Sequence, residues 1–263
     1  MGKSFPEFIE MIAETRPLAG SYFGGCASMK WDAWRVVRLL RQELDRLSPA
    51  PPRTVLDLGC GIGVYEREVG ARWPSALVLG TDLSARNIAA ARAYAPSACF
   101  LQIDAERIPL ATASVDLAIA IEVMEHFLIP DRVAAELGRV VRPGGTLVVV
   151  VPLAPPVPFV RTLSRLATRF IGSKVVEEGQ FKEHMRIYSR RTLTREFDAA
   201  WTVRRLVTFN IATFLIAALE RLSAPLARRV AERHRRGMDR LDRVCGRLVY
   251  AKGMMILERN ASA

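Results

Sequence analysis

Between residues 54 and 151, short apolar runs alternate with stretches of helical period, and that alternation leaves few folds open. The runs at 54–58, 76–79, 98–103, 115–121 and 146–151 are predicted strands, and the segments at 64–72, 84–94 and 131–141 are predicted helices. Ser84 and Asp131 suit the N-cap positions of two of these helices, and Arg142-Pro143-Gly144-Gly145 is expected to stop the third. The strands are apolar throughout rather than on alternate residues, so each is expected to be buried on both faces. Strands of that kind linked by helices imply a doubly wound α/β domain around a mostly parallel sheet.

The flanks read differently. Trp34, Val37, Leu40, Leu44 and Leu47 recur at helical spacing over 31–47, and a Pro-rich linker follows at 48–52. After Val151 the regularity breaks at Pro152, Pro155, Pro156 and Pro158, and a loop-rich insertion carrying Phe159, Phe170 and Phe181 is expected to run to about His184. A helix at 189–200 with Ser189 as its cap, a strand at 201–208, two amphipathic helices broken at 223–225 and at Gly237, and a closing strand within 248–257 complete the expectation. The resulting organisation is an N-terminal helical cap (1–50), a ligand-binding core (51–152), and a substrate-side remainder of the same domain (153–263).

The chemistry concentrates at Val55-Leu56-Asp57-Leu58-Gly59-Cys60-Gly61-Ile62-Gly63, a GxGxG turn between a strand and a helix. Glycines suit a turn that reverses tightly while letting a ligand approach the backbone. A dinucleotide fingerprint would place its third glycine at position 64, which is Val64. Asp57 instead ends the first strand and Asp82 ends the second, where a carboxylate can accept ribose hydroxyls.

This stretch resembles motif I of the class I S-adenosylmethionine-dependent methyltransferases, of the small-molecule kind that includes ubiquinone and menaquinone methyltransferases. The resemblance extends through Gln102-Ile103-Asp104-Ala105, Ile121-Glu122-Val123-Met124-Glu125-His126 and Pro143-Gly144-Gly145-Thr146-Leu147, covering about 50–152. It implies a seven-stranded Rossmann-like sheet and S-adenosyl-L-methionine as cofactor. By resemblance Asp57, Gly59, Cys60, Gly61 and Gly63 would surround the methionine end, Asp82 and Leu83 the nucleoside, Asp104 and Ala105 the adenine, and Glu122 would complete the cofactor set.

Methyl transfer is an in-line displacement in which the protein supplies alignment, desolvation and a sink for a proton. His126, Glu122 and His184 are the candidate catalytic residues, because imidazole and carboxylate are the side chains that accept a proton near neutral pH. Glu122, Glu125 and His126 admit three readings: a hard-metal set, a metal-free contact to cofactor or acceptor, and a structural turn. The metal-free reading is preferred, with no metal assigned.

Charge divides the chain. Residues 1–150 hold 16 basic and 17 acidic side chains, whereas 151–263 hold 22 and 10. Nine arginines between 221 and 247 alternate with a leucine stripe, a pattern suited either to an anionic membrane surface or to a lid with its arginines in water. Nucleic acid is disfavoured because the segment lacks aromatic side chains to stack bases. The four cysteines form no CxxC pair, Glu7, Glu10 and Glu14 interrupt any export signal, and the longest apolar window, 211–219, is too short to cross a bilayer. The expectation is a cytoplasmic methyltransferase acting on a small or lipid-like acceptor, peripheral on the inner face of the cell membrane. An RNA 2′-O-type methyltransferase and a catalytically silent binding protein of the same fold are the alternatives.

Overall fold

Val55, Leu56 and Leu58 are each at most 1% exposed, because the strand they form has a neighbour on both sides and helices over both faces. The computed structural model describes residues 27–47, 50–154, 186–197, 199–209, 216, 219, 220, 222–233 and 252–261. Its elements in chain order are α1 (Ala27–Leu47), β1 (Thr54–Leu58), α2 (Val64–Arg72), β2 (Leu77–Asp82), α3 (Ala85–Tyr94), β3 (Cys99–Gln102), β4 (Val115–Ile121), α4 (Pro130–Val140), β5 (Val141–Pro152), α5 (Arg190–Glu196), β6 (Trp201–Phe209), α6 (Ala224–Arg233) and β7 (Lys252–Arg259). A single 3-10 turn, Met124–His126, follows β4.

The strands form one seven-stranded sheet in the order β3-β2-β1-β4-β5-β7-β6. β3, β2, β1, β4 and β5 pair in parallel. Arg204 pairs with Glu258 and Thr202 with Asn260, so β6 and β7 run in opposite directions. The chain order reverses between β1 and β4, and in open sheets of this type the crevice for a ligand lies at the carboxyl ends of the strands at that point. The doubly wound, mostly parallel sheet expected from the sequence is therefore present.

By contacts the chain divides into two compact units. One comprises Met1–Ser48, Ala154–His184 and Thr208–Lys252, and the other Pro49–Leu153, Met185–Val207 and Gly253–Ala263. In the first, α1 buries Trp34, Val37, Leu40 and Leu44 of the stripe predicted from its period, together with Trp31, while Leu47 at its end is half-buried. Among the described side chains of α6, which packs against α1, the small residues Ala227 and Ala231 are the buried ones.

Three local expectations are corrected. α4 begins at Pro130 with Ile129 at its N-cap, so Asp131 lies in the first turn instead of capping it. Proline holds that place because its fixed φ suits a first helical position whose N–H has no partner anyway. β5 begins at Val141, directly after α4, and Arg142-Pro143-Gly144-Gly145 is a bulge inside it. The register passes from Val115↔Val141 to Leu117↔Thr146, so one residue of β4 faces four of β5. Gly144 has a φ of 72°, and Arg142 Nε reaches Asp116 Oδ1 to close the bulge. β2 runs from Leu77 to Asp82, past the predicted end at 79, and Asp82 ends it as the sequence reading had it. The calls at 155–185, 210–215 and 234–251, including the phenylalanine-lined insertion, Gly237 and His184, fall outside the described residues.

Candidate cofactor and active site

The turn after β1 is built by positive φ angles that only glycine adopts without strain: 76° at Gly59, 54° at Gly61 and 87° at Gly63. At Gly59 a Cβ would stand 2.5 Å from Val123 Cγ2, so the glycine also lets the turn pass against the segment that follows β4. The amides of Gly59 and Cys60 both donate to Thr81 O at 2.8 Å, and Gly61 N donates to Asp82 Oδ2 at 3.0 Å. Thr81 Oγ1 donates to Asp57 O at 2.9 Å. The turn is thus lashed to the end of β2, which keeps two acids, Asp57 and Asp82, at adjacent strand ends.

Those acids differ in state. Asp82 is half-buried and its Oδ1 accepts from Ser84 N at 2.8 Å and Asn87 Nδ2 at 3.2 Å. With Gly61 on Oδ2, three of its roughly four acceptor sites are filled from within the protein, leaving one on Oδ2. Asp57 is 1% exposed, and neither carboxylate oxygen meets a hydrogen-bond donor among the described residues. Burial pushes its carboxyl up to about 7, with Asp82 adding to the rise and contact with Glu66 opposing it. Glu66, on the first turns of α2, is fully buried and likewise has no donor on its side-chain oxygens among the described residues. Its carboxyl is raised well above the usual range by burial and then by Asp57.

The other predicted positions fall around the same end of the sheet. Leu83 is 72% exposed directly after Asp82, its carbonyl held by Gln102 Nε2 at 2.9 Å. Asp104 is exposed and caps its own turn, Oδ1 accepting from Glu106 N at 2.9 Å, and Ala105 is buried beside it. Cys60 is buried, with burial first and then Glu66, Asp57 and Asp82 raising its thiol far above the ordinary value, so it is an inert packing residue. The residues fit a cofactor with a cationic methionine end and a ribose: a cradle that a Cβ would fill, an orphaned buried carboxyl, and a second acid with an acceptor site open.

After β4, Glu122 takes a φ of 54°, a conformation that a residue other than glycine holds only under constraint, and its amide donates to Val150 O at 2.8 Å. Glu122 and His126 are half-buried, but Glu125 is fully buried. The 3-10 turn at Met124–His126 carries Glu125 into the interior, apart from the half-buried Glu122 and His126. Among the described residues no group of three or more His, Cys, Asp or Glu is placed to hold a metal ion.

Three features escaped the sequence reading. Tyr188 is 1% exposed and its hydroxyl donates to Met124 O at 3.2 Å, fixing the turn beneath His126. Arg186 pairs with Glu196 at 3.1 Å and donates to Leu128 O at 3.1 Å. Arg186, Glu196, Leu128, Ile129, Asp131 and Trp201 line a cavity of about 580 Å³ along α4 and α5, whose lining does not include the Asp57–Asp82 end. Glu66 was the other omission. The signal was Gly80, a glycine inside a buried strand, which marks a place where another group must approach closely.

Comparison with known proteins agrees with this geometry. Residues 56–149 match the family described as a methyltransferase domain. Over 117 residues the chain is 38% identical to trans-aconitate 2-methyltransferase of Azoarcus sp. (strain BH72), covering 44% of this chain and 45% of that protein. The chain spans a little under half the length of the curated relatives it matches. Among solved structures, the cyclase SpnF superposes with a TM-score of 0.59 at 19% identity, covering 86% of this chain and 81% of the other. Geranyl diphosphate C-methyltransferase from Streptomyces coelicolor A3(2) does so with 0.57 at 17%, covering 84% and 75%. These two likenesses concern the fold. Residues 56–149 are thus similar in sequence to a methyltransferase domain, and the sheet that carries them has the fold of the solved structures named above.

Proposed function

We propose that the chain transfers the methyl group of S-adenosyl-L-methionine to a small acceptor. The observation that carries the reading is the pair of adjacent strand-end acids, Asp57 and Asp82, tied through Gly61 to a three-glycine turn at the switch point of the sheet. In this reading Asp57 faces the ammonium end of the cofactor, the open acceptor site of Asp82 takes one ribose hydroxyl, and Leu83, Asp104 and Ala105 border the base. The cofactor, when bound, supplies an activated methyl group to a nucleophile in line with it. The chain's own part is orientation, exclusion of water and removal of the acceptor's proton. In this reading His126 and Glu122 receive that proton, supported by a turn that Tyr188 braces through Met124 O. His184 keeps its sequence-based role as a second candidate base.

Calorimetric titration with S-adenosylhomocysteine tests the reading. Binding in the wild type that Asp82→Ala weakens at least roughly tenfold supports it, on the scale of one lost hydrogen bond to a charged group. No binding, or binding indifferent to that substitution, would sink it and favour a silent member of the fold.

A lipid-like acceptor met at an anionic membrane surface is the finer reading, favoured by α6 and by Leu222 just before it. Leu222 is 82% and Leu226 44% exposed, and Arg229 is exposed, three residues three or four apart along the chain. Among the described residues no helix is long and apolar enough to cross a membrane. Flotation with anionic liposomes exceeding that with neutral ones supports surface contact. Equal recovery counts against it.

A further inference from the structure

Two acids buried side by side need an explanation that cofactor binding alone does not give. Asp57 and Glu66 are 1% and 0% exposed, and no donor among the described residues reaches any of their four carboxyl oxygens in hydrogen-bond geometry. Ionising both would bury two like charges without compensation, a state proteins avoid by keeping a proton. The charged groups acting on the pair are each other and Asp82 on β2, with no lysine or arginine among them. Cys60 in the turn stays a neutral thiol, and the ring of Phe100 on β3 packs beside Glu66.

The niche is built for Glu66. Gly80 is the register partner of Asp57 across β1 and β2. A Cβ on Gly80 would lie 2.2 Å from Glu66 Oε1 and 2.6 Å from Phe100 Cε1, so the missing side chain is the space the glutamate occupies. Glutamate therefore reaches the interior between β1 and β2, beside Asp57, from a helix that could have offered a small apolar residue there instead.

We propose that Glu66 is a positioning residue for the cofactor turn: it stays a neutral carboxylic acid and donates its O–H to Asp57, which holds Asp57 as a single oriented negative charge at the end of β1. The inference rests on the reading of Asp57 as the acid that meets the ammonium end of the cofactor. Its direct consequence is that Glu66 acts through its proton and not through a charge. Burial acts on both groups, but the donated proton favours ionisation at Asp57. The pair thus carries one negative charge over the range in which a cationic ligand needs it.

The experiment compares wild type, Glu66→Gln and Glu66→Leu as full-length proteins. Infrared spectra of the ligand-free protein at about pH 8, above the value of Asp57, should show the carbonyl stretch of a protonated carboxyl group that Glu66→Gln lacks. Titration with S-adenosylhomocysteine from about pH 6 to about pH 8 should tighten roughly tenfold in the wild type as Asp57 ionises. Glu66→Gln, which keeps a neutral donor, should bind like the wild type near pH 7. Glu66→Leu, which keeps the size and loses the donor, should bind roughly tenfold more weakly there, with its profile displaced upward by about a pH unit. Absence of the infrared difference overturns the proposal, as does Glu66→Gln losing affinity to the same extent as Glu66→Leu. A wild type that shows the band but does not bind S-adenosylhomocysteine leaves the shared proton standing and sinks the cofactor reading instead.

Discussion

Asp57 and Asp116 are the same side chain on adjacent strands, yet they sit in opposite electrostatic worlds. Asp116 lies near the amino end of β4, where Oδ2 accepts from Arg53 N at 2.8 Å and Thr54 N at 2.9 Å and Oδ1 accepts from Arg142 Nε at 2.5 Å. Burial alone would raise its carboxyl, but the guanidinium and the two amides hold it below the usual carboxylate range. Glu136 on α4 is satisfied in the same way, held low first by Arg139 and then by Ile108 N against a smaller burial penalty. Asp57, at the carboxyl end of β1, has no donor of that kind among the described residues and is driven upward. Acids that fasten the sheet are saturated with donors, whereas the acid at the switch point keeps its capacity for something that arrives later.

Breaking the functional side of this contrast should have the largest effect. Gly59→Ala must hold a φ of 76° with a side chain 2.5 Å from Val123, which costs about 1–3 kcal/mol in stability and should abolish measurable binding of S-adenosylhomocysteine. Next is Gly80→Ala, whose methyl group collides with Glu66 and Phe100. Thermal unfolding should show a loss of about 1–3 kcal/mol, accompanied by weaker cofactor binding because Glu66 is displaced. Asp116→Ala should cost a similar or smaller amount, about 1–3 kcal/mol, by orphaning two amides and Arg142, but leave the affinity for S-adenosylhomocysteine unchanged. An affinity change there would erase the distinction between the two acids.

The pH dependence of stability sharpens the same comparison, because the two acids contribute with opposite sign. The carboxyl of Asp57 is higher in the folded chain than in the unfolded one, so its contribution is fully present below about pH 4 and is lost as the pH rises to about 7. Over that window the slope approaches about 1.4 kcal/mol per pH unit for one group. Asp116 is lowered, so its contribution is present above about pH 4 and is lost as acid protonates it. Denaturant titrations of Asp116→Ala should therefore show less acid sensitivity than the wild type, and Glu66→Gln should gain relative stability only in alkali, where the wild type must ionise a second buried acid. The smallest effect is expected at Arg204→Ala, an exposed pair with Glu258 across β6 and β7, where thermal unfolding should not move measurably.

Much of the contrast could be read before any coordinates. The glycine turn, Asp57, Asp82 and the capping roles of Ser84 and Ser189 rest on local chemistry, and local chemistry is what a sequence displays. Glu66 was invisible because Glu66, Arg67 and Glu68 look like a solvated helix face, although α2 buries both glutamates. Only the register that sets Gly80 beside Asp57 shows why. The bulge in β5 was hidden for a related reason: a Pro-Gly-Gly stretch reads as an end to regular structure, and its pairing with Asp116 depends on a strand 26 residues away. Tyr188 was hidden because its partner, a backbone carbonyl 64 residues earlier, leaves no trace in residue type.

Leu153 and Tyr188 form a parallel bridge, and Tyr188 N donates to Pro152 O at 3.2 Å. The chain thus leaves the sheet at Leu153 and is back beside the same point at Tyr188. Lengthening such an excursion costs only about 0.6 kcal/mol for each doubling, so its size is nearly neutral to the stability of the sheet. In evolutionary and engineering terms the two anchors mark a graft point: the sequence between them can be exchanged while the pairing of β1 with β2 stays untouched.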